Sequence, residues 1–100
     1  MQNTTTITWP EGVIARYLTV AGTALAREDL AVDVETLTTV DHDEPYATRS
    51  TCRGCATWDE RDYGLYRNYH GDARTRASQD DARSWAQQHA ETCRALPRPA

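Results

Sequence analysis

Four residues with the spacing of metal ligands constrain this chain more than any other feature. Cys52 and Cys55 form a CxxC pair, and His89 and Cys93 lie four residues apart near the other end of the chain. Three thiolates and one imidazole are a common donor set of structural zinc sites, and residues four apart on a helix share one face. Gly54, inside the CxxC pair, is expected to take a positive φ in a tight turn. The spacing therefore predicts one structural Zn²⁺ bound by these three cysteines and His89.

A long C-terminal helix is predicted to carry the second pair of ligands. Ser78 is a candidate N-cap, Asp81 three residues later completes a capping box, and Pro97 ends the helical pattern. Apolar residues and both ligands recur on one face of this helix, at Ala82, Trp85, Ala86, His89, Cys93 and Leu96. The ligands are therefore expected to face the interior, and Trp85 is expected to pack the helix against a sheet.

Other roles for the cysteines and other histidine ligands stay open beside this zinc site. A thioredoxin-like redox CxxC starts a helix, whereas residues 56–59 lack a helical pattern. A disulfide scaffold would leave one of the three cysteines unpaired, and no signal peptide indicates an oxidising compartment. His42 and His70 are rival ligands, and His70 could replace His89, although it lacks a partner at helical spacing. Zinc is the favoured interpretation.

The length of 100 residues predicts a single zinc-stabilised domain over residues 1–100, with 1–12 as a loose N-terminus and 97–100 as a tail. Only 39% of the residues are hydrophobic and none is Phe, so the core is expected to be small. A bound metal would supplement such a core. No apolar run is long enough to span a membrane and no targeting segment is recognised, so the expected location is the cytoplasm.

The predicted fold is α+β, a small antiparallel sheet of two or three strands with a zinc knuckle and one long C-terminal α-helix. Residues 13–20 fit both a helix face and a strand. Leu30, Val32 and Val34 alternate with less apolar neighbours, which is typical of a half-buried strand. If the first segment is also a strand, residues 22–29 connect a hairpin.

The remaining segments are predicted from their charge and position. Residues 41–45 are expected to form an acidic turn, and residues 46–51 a third strand that leads into Cys52. The segment between the knuckle and the C-terminal helix is expected to be irregular. These elements would bring the two halves of the metal site together only if the helix folds back onto the sheet.

Residues 16–22, 51–55 and 85–97 carry two specific marks, a CxGC knuckle and an HAxxCRALP tail. With these marks the chain resembles a group of small, mostly uncharacterised zinc-finger-like proteins of actinobacteria and their phages and mobile elements. The resemblance implies the same four metal ligands and favours a strand over residues 13–20. It implies no established activity, and it does not extend to residues 56–77.

Aromatic side chains and arginines are interleaved between the knuckle and the helix. Trp58, Tyr63, Tyr66, Arg67 and Tyr69 are candidate partner-binding residues, because Trp, Tyr and Arg often anchor partners. Surfaces of this composition can also stack on nucleic-acid bases. Four Arg and four acidic residues balance between residues 58 and 76, which disfavours nucleic acid. The alternative interpretation is that these side chains cover the zinc site and the small core.

Charge and motifs together favour a noncatalytic role. Residues 1–47 contain eight acidic residues and two Arg, a net charge of −6. Residues 48–100 contain seven acidic residues and nine Arg, a net charge of +2. The chain has no P-loop, no nucleophile elbow and no HxE followed by PCxxC, the signature of a zinc deaminase. Four protein ligands would also close the zinc site to water. No enzyme activity is predicted.

Two functions of different classes remain. The favoured one is a noncatalytic zinc-binding protein-interaction module, encoded by a phage or mobile element and acting on a host protein. The alternative is a nucleic-acid-binding zinc-finger regulator. Its phosphate contacts would be Arg49, Arg53, Arg74, Arg76 and Arg83.

Overall fold

Four antiparallel strands and one long helix make up the part of the chain that the computed structural model describes. These are residues 9–97, apart from the side chains of His42 and Asp43. The elements are β1 (Val13–Leu18), α1 (Val20–Leu25), β2 (Ala31–Thr39), β3 (His42–Cys52), β4 (Trp58–Asp62), a 3₁₀ turn (Tyr63–Tyr66) and α2 (Asp72–Ala90). The sheet order is β1-β2-β3-β4. The α+β prediction is confirmed, with one strand more than expected.

Some predictions fall outside the described residues. Most of the predicted loose N-terminus, residues 1–8, and most of the predicted tail, residues 98–100, lie there. The side chain of His42, a rival metal ligand, also lies outside them. Between residues 9 and 97, no helix is both long and apolar enough to cross a membrane.

The ambiguous segment at residues 13–20 is a strand that turns into a short helix. β1 pairs antiparallel with β2 and contains a register shift between Val13 and Ala15. Thr19 then caps α1, because its hydroxyl accepts a hydrogen bond of 3.0 Å from the N–H of Gly22. The predicted connection at residues 22–29 therefore contains four of the six residues of α1.

The strand β2 is buried more completely than its alternating pattern predicts. Val32 and Val34 are fully buried on the face toward α2, and Asp33 on the other face is only 2% exposed. The prediction of a half-buried strand is wrong, because β2 is central in the sheet and two arginine side chains cover Asp33.

Two predictions for the segments that flank β3 are also wrong. The predicted acidic turn at residues 41–45 is only a turn at residues 40–41, and β3 already begins at His42. The predicted irregular segment contains β4, which pairs with residues 47–51 of β3. The strand β4 has the sequence WDERD, without the alternation of a half-buried strand, and it is held as an edge strand by backbone pairing.

The helix α2 begins six residues before the predicted cap. Gly71 is its N-cap, and no side chain caps the helix there. Ser78 is fully buried inside the helix, and its hydroxyl lies 3.0 Å from Thr48 Oγ1 and donates a 2.8 Å bond to the carbonyl of Arg61. The predicted capping box is wrong, because Ser78 instead satisfies polar groups of the sheet.

Small side chains allow α2 to lie close to the sheet. Ala82, Ala86 and Ala90 are buried on its inner face, and Ser50 of β3 donates a 2.9 Å hydrogen bond to the carbonyl of Ala82. The core cluster is completed by Val32, Val34, Cys52 and Cys93. Two of the four candidate metal ligands, Cys52 and Cys93, are thus part of the core itself.

Candidate metal centre

The fold brings the four predicted ligands together. One donor atom from each of Cys52, Cys55, His89 and Cys93 lies within 4.8 Å of every other. Cys52 Sγ is 3.7 Å from Cys93 Sγ, and Cys55 Sγ is 3.2 Å from His89 Nε2. Two sulfurs bound to one tetrahedral Zn²⁺ at about 2.3 Å lie about 3.8 Å apart. The four residues are therefore close enough to coordinate one metal ion.

The first two ligands lie on a hydrogen-bonded knuckle at the end of β3. The N–H of Cys52 donates to the carbonyl of Thr57 at 2.8 Å, and the N–H of Ala56 donates to the carbonyl of Cys52 at 2.9 Å. The N–H groups of Gly54 and Cys55 donate to the sulfur of Cys52. Such bonds orient a thiolate ligand and stabilise its charge.

Gly54 is needed for a different reason from the one predicted. Its φ is not positive, and the residue with positive φ in the knuckle is Ala56, at 68°. A Cβ on Gly54 would lie 2.6 Å from the carbonyl oxygen of Ala95. Glycine at this position therefore allows the segment that follows α2 to pass directly over the knuckle.

The second pair of ligands lies at the end of α2 and just beyond it. α2 ends at Ala90, so the prediction that Cys93 lies on the helix and that Pro97 ends it is wrong. The N–H of Cys93 nevertheless donates to the carbonyl of His89 at 2.9 Å, and this bond keeps the two ligands at helical spacing. The carbonyl of Cys93 in turn accepts a 3.1 Å bond from the N–H of Val20.

Trp85 contacts a ligand as well as the core. Its ring stacks on the imidazole of His89, with centroids 4.9 Å apart and planes 6° from parallel. Trp85 is partly buried against the core, but α2 packs on the sheet mainly through its alanines. The indole therefore orients the imidazole, as neighbours of metal ligands commonly do.

The thiols of Cys52 and Cys55 have opposite protonation tendencies before a metal binds. Burial raises the pKa of Cys52 to about 11. Burial also opposes ionisation of Cys55, but contacts with Thr57 and His89 outweigh it and lower the pKa of Cys55 to about 6. Metal ligation requires thiolates, so binding must displace a proton from Cys52.

An ion pair between the half-exposed Arg53 and the buried Asp33 fastens the knuckle to the sheet. Arg53, inside the CxxC pair, donates from Nε to Asp33 at 3.0 Å, and its N–H donates to the carbonyl of Ala31 at 2.9 Å. Arg16 of β1 donates to both oxygens of Asp33, at 2.5 and 2.9 Å. The sequence reasoning missed Asp33 and Arg16, although a carboxylate within the apolar run of residues 30–34 was a signal.

The rival ligand His70 lies elsewhere. It is exposed in the loop before α2, beside a cleft that is also lined by Glu44, Tyr63 and Arg74. Within residues 9–97, the cluster able to hold a metal contains His89 and not His70.

The predicted partner-binding residues do not share one surface. Trp58 is 55% exposed and pairs with Thr51, which points away from α2 because its neighbours Ser50 and Cys52 face the helix. Tyr66 is buried, its hydroxyl donates to Asp81 at 2.7 Å, and burial raises its pKa to about 12.

The other three partner-binding candidates surround the buried Tyr66. Tyr69 is 48% exposed and packs edge-on against Tyr66, Tyr63 is partly buried, and Arg67 is exposed. Partner binding by these residues stays a prediction.

The predicted phosphate contacts are mostly engaged within the chain. Arg49 lies 3.4 Å from Glu60, and its guanidinium is 4.4 Å from the ring centroid of Trp58. Arg53 pairs with Asp33, as described above, and Arg83 lies 3.7 Å from Asp80. Arg74 contacts the carbonyl of Tyr69 at 3.5 Å, and Arg76 is exposed.

Comparisons of the chain with protein-family models, with curated proteins and with solved structures found no match. The resemblance to actinobacterial and phage zinc-finger-like proteins therefore stays a prediction.

Proposed function

We propose that the chain is a noncatalytic module, held together by one structural Zn²⁺, that acts by binding a protein partner. The observation that carries the zinc assignment is the convergence of three sulfurs and one imidazole nitrogen within 4.8 Å. Sulfur and imidazole donors select zinc over magnesium or calcium, which prefer oxygen.

A structural role for the metal is supported by the closed set of donors. A catalytic zinc has three protein ligands and an open position for water, whereas four protein ligands complete a tetrahedron. Cys52 and Cys93 are buried, at 0% and 9% exposure, so the protein covers one side of the ion position. The site would then join the end of α2 to the end of β3 and supply folding free energy.

Native mass spectrometry tests the zinc assignment. The purified protein is measured with and without a strong chelator, and far-UV circular dichroism is recorded on the same samples. We expect one zinc ion per chain and, when the chelator removes it, a partial loss of helical signal from the end of α2. A metal-free protein with a Cys52–Cys55 disulfide would contradict the proposal and favour a redox dithiol.

A protein partner is favoured over nucleic acid by the pairing of the arginines. Arg49, Arg53 and Arg83 each lie within 4.0 Å of a carboxylate, so their charges are already partly neutralised. Phosphate binding would have to displace those carboxylates. The exposed aromatic residues Trp58 and Tyr69 remain available as anchors for a protein.

Partner capture is tested with a pair of matched variants. Trp58→Ala removes a 55% exposed side chain from β4, and Leu25→Ala removes a 52% exposed side chain from α1, near the opposite edge of the sheet. We expect the first variant to lose capture of a protein from host lysate and the second to retain it. If both variants capture equally, the assignment of Trp58 to the surface is wrong.

The nucleic-acid alternative is tested by measuring how the purified protein retains mixed DNA or RNA. Binding through several phosphates weakens steeply as salt rises. Retention of mixed DNA or RNA at low salt, lost with increasing salt and reduced by Arg76→Ala, would replace the protein-partner proposal. If the gene is carried by a phage or mobile element, as the resemblance implies, the partner is expected to be a host protein.

A further inference from the structure

The three cysteines of the metal centre differ in their access to solvent. Cys52 is fully buried and Cys93 is 9% exposed, whereas Cys55 is partly exposed. Cys52 ends β3 beneath the helix, and Cys93 is tied to α1 through the N–H of Val20. A small reagent in solution therefore meets Cys55 first.

A surface cleft leads to Cys55. Its volume is about 410 Å³, and it is lined by Arg53, Gly54, Cys55, Ala56, Leu96 and Pro97. Of the three cysteines, which all lie in the described part of the chain, Cys55 lines this cleft and Cys52 and Cys93 do not. The cleft is large enough for a hydroperoxide to reach the sulfur from outside.

We propose that Cys55 is a modification site for hydroperoxides, and that its oxidation releases the metal. This inference rests on the proposed function, because the reacting group is the zinc-bound thiolate of Cys55. The thiolate attacks the outer oxygen of the hydroperoxide and the O–O bond breaks. The sulfur becomes a sulfenic acid, and the displaced alkoxide or hydroxide takes a proton and leaves as an alcohol or water.

The second step forms a disulfide with Cys52. The sulfurs of Cys52 and Cys55 lie within 4.8 Å of each other across the knuckle turn. The Cys52 thiolate attacks the sulfenic sulfur, the S–O bond breaks, and hydroxide leaves as water after taking a proton. Two thiolates are oxidised to one disulfide, and one hydroperoxide is reduced by two electrons.

Disulfide formation would separate the two halves of the site. Only His89 and Cys93 would remain as donors, which is too few to hold the ion. The knuckle stays on the sheet through Arg53 and Asp33, whereas the segment around Ala95 loses its metal link to the knuckle. Oxidation would therefore free the chain after α2 and leave the sheet intact.

The experiment uses the full chain loaded with zinc and hydrogen peroxide as the probe. Zinc release is followed with a chromophoric indicator, sulfenic acid is trapped with dimedone, and the labelled cysteine is identified by peptide mass spectrometry. We expect dimedone on Cys55 at least about tenfold in excess over the other two cysteines. We also expect one zinc released per disulfide, and zinc rebinding after reduction with dithiothreitol.

Two ligand-preserving variants sharpen the result. Cys55→His keeps a donor but removes the reactive sulfur, so we expect zinc release by peroxide to slow by about tenfold or more. Arg94→Ala, at an exposed position beside the site, keeps all four donors and is expected to release zinc at the rate of the unmodified protein. Equal rates for Cys55→His and the unmodified protein would overturn the proposal.

The labelling experiment on the unmodified protein decides the matter even if a variant fails to bind zinc. First labelling of Cys52 or Cys93, or disulfide formation without zinc release, overturns this inference alone. A purified protein that takes up no zinc before peroxide is added overturns the proposed function, and this inference with it.

Discussion

The two halves of the metal centre are held by different kinds of interaction. On the sheet side, Cys52 belongs to β3, and the knuckle is fastened by its own hydrogen bonds and by Arg53 on Asp33. On the helix side, Cys93 lies beyond the end of α2, and its position depends on two backbone hydrogen bonds. We therefore expect the sheet side to form without a metal, and the residues at and beyond the end of α2 to need the metal to stay in place.

The largest expected effect comes from removing a ligand on the helix side. Cys93→Ser should lower zinc affinity about 1,000-fold, which removes about 4 kcal/mol of metal-dependent stability at saturating zinc. Competition with a chromophoric chelator and chemical denaturation measure both quantities. Arg94→Ala, at the exposed neighbouring position, is the control and should change neither. Unchanged affinity in Cys93→Ser would mean that Cys93 is not a ligand.

The next effect concerns the anchor on the sheet side. Asp33→Asn removes the buried carboxylate that Arg16 and Arg53 share, and it should cost about 1.5–3 kcal/mol, because charge-assisted hydrogen bonds are lost while the half-exposed Arg53 can be solvated. Urea denaturation of the zinc-loaded protein measures the loss. Asp29→Asn is the matched control, because Asp29 pairs with Arg27 at a site where its side chain is 64% exposed, and it should leave the urea midpoint nearly unchanged. Equal losses in the two variants would contradict the anchoring role.

A smaller effect is expected at Gly54, where the knuckle touches the segment that follows α2. Gly54→Ala would place a methyl group 2.6 Å from the carbonyl oxygen of Ala95, and we expect a loss of about 1–3 kcal/mol together with weaker zinc binding. Gly64→Ala is the control, because its new methyl would meet only the end of the Asp62 side chain, at 3.0 Å, which can move. If Gly54→Ala binds zinc as tightly as the unmodified protein, the close approach of residue 95 does not position the ligands.

The smallest expected effect is the change in zinc affinity for each unit of pH. The pKa of Cys52 is raised to about 11 in the metal-free protein, so below that pH each metal ion must displace its proton. Zinc affinity should therefore rise about tenfold per pH unit, or more, between pH 6 and 9. It should fall more steeply below about pH 6, the lowered pKa of Cys55. Chelator competition across this range measures the slope, and a pH-independent affinity would exclude thiolate ligation.

Some features of the two halves could be predicted from the sequence, and others could not. The clustering of Cys52, Cys55, His89 and Cys93 was predictable because the spacing is local within each pair, and the helical bond from Cys93 to His89 preserves the second spacing even beyond the end of α2. The buried anchor was not predictable, because Asp33, Arg16 and Arg53 meet only after three chain segments pair. Local signals do not contain that contact.

Two wrong predictions, the capping box at Ser78 and the irregular segment that contains β4, also have their cause in contacts between distant parts of the chain. Ser78 has the composition of a helix cap, but tertiary packing uses its hydroxyl to satisfy Thr48 and Arg61 within the helix. The strand β4 lacks an alternating pattern, and its pairing with β3 decides its conformation. In both places, contacts with a distant strand outweighed the local propensity.

Hydrogen exchange of the zinc-loaded and chelated protein compares the two halves of the site residue by residue. We predict that removing the metal exposes amides of residues 88–96 to exchange, while amides of β2 at residues 31–37 stay protected. The metal would then hold the end of α2 and the residues after it onto a sheet that is already formed. Equal loss of protection in both regions, or no change in residues 88–96, would show that the metal does not have this role.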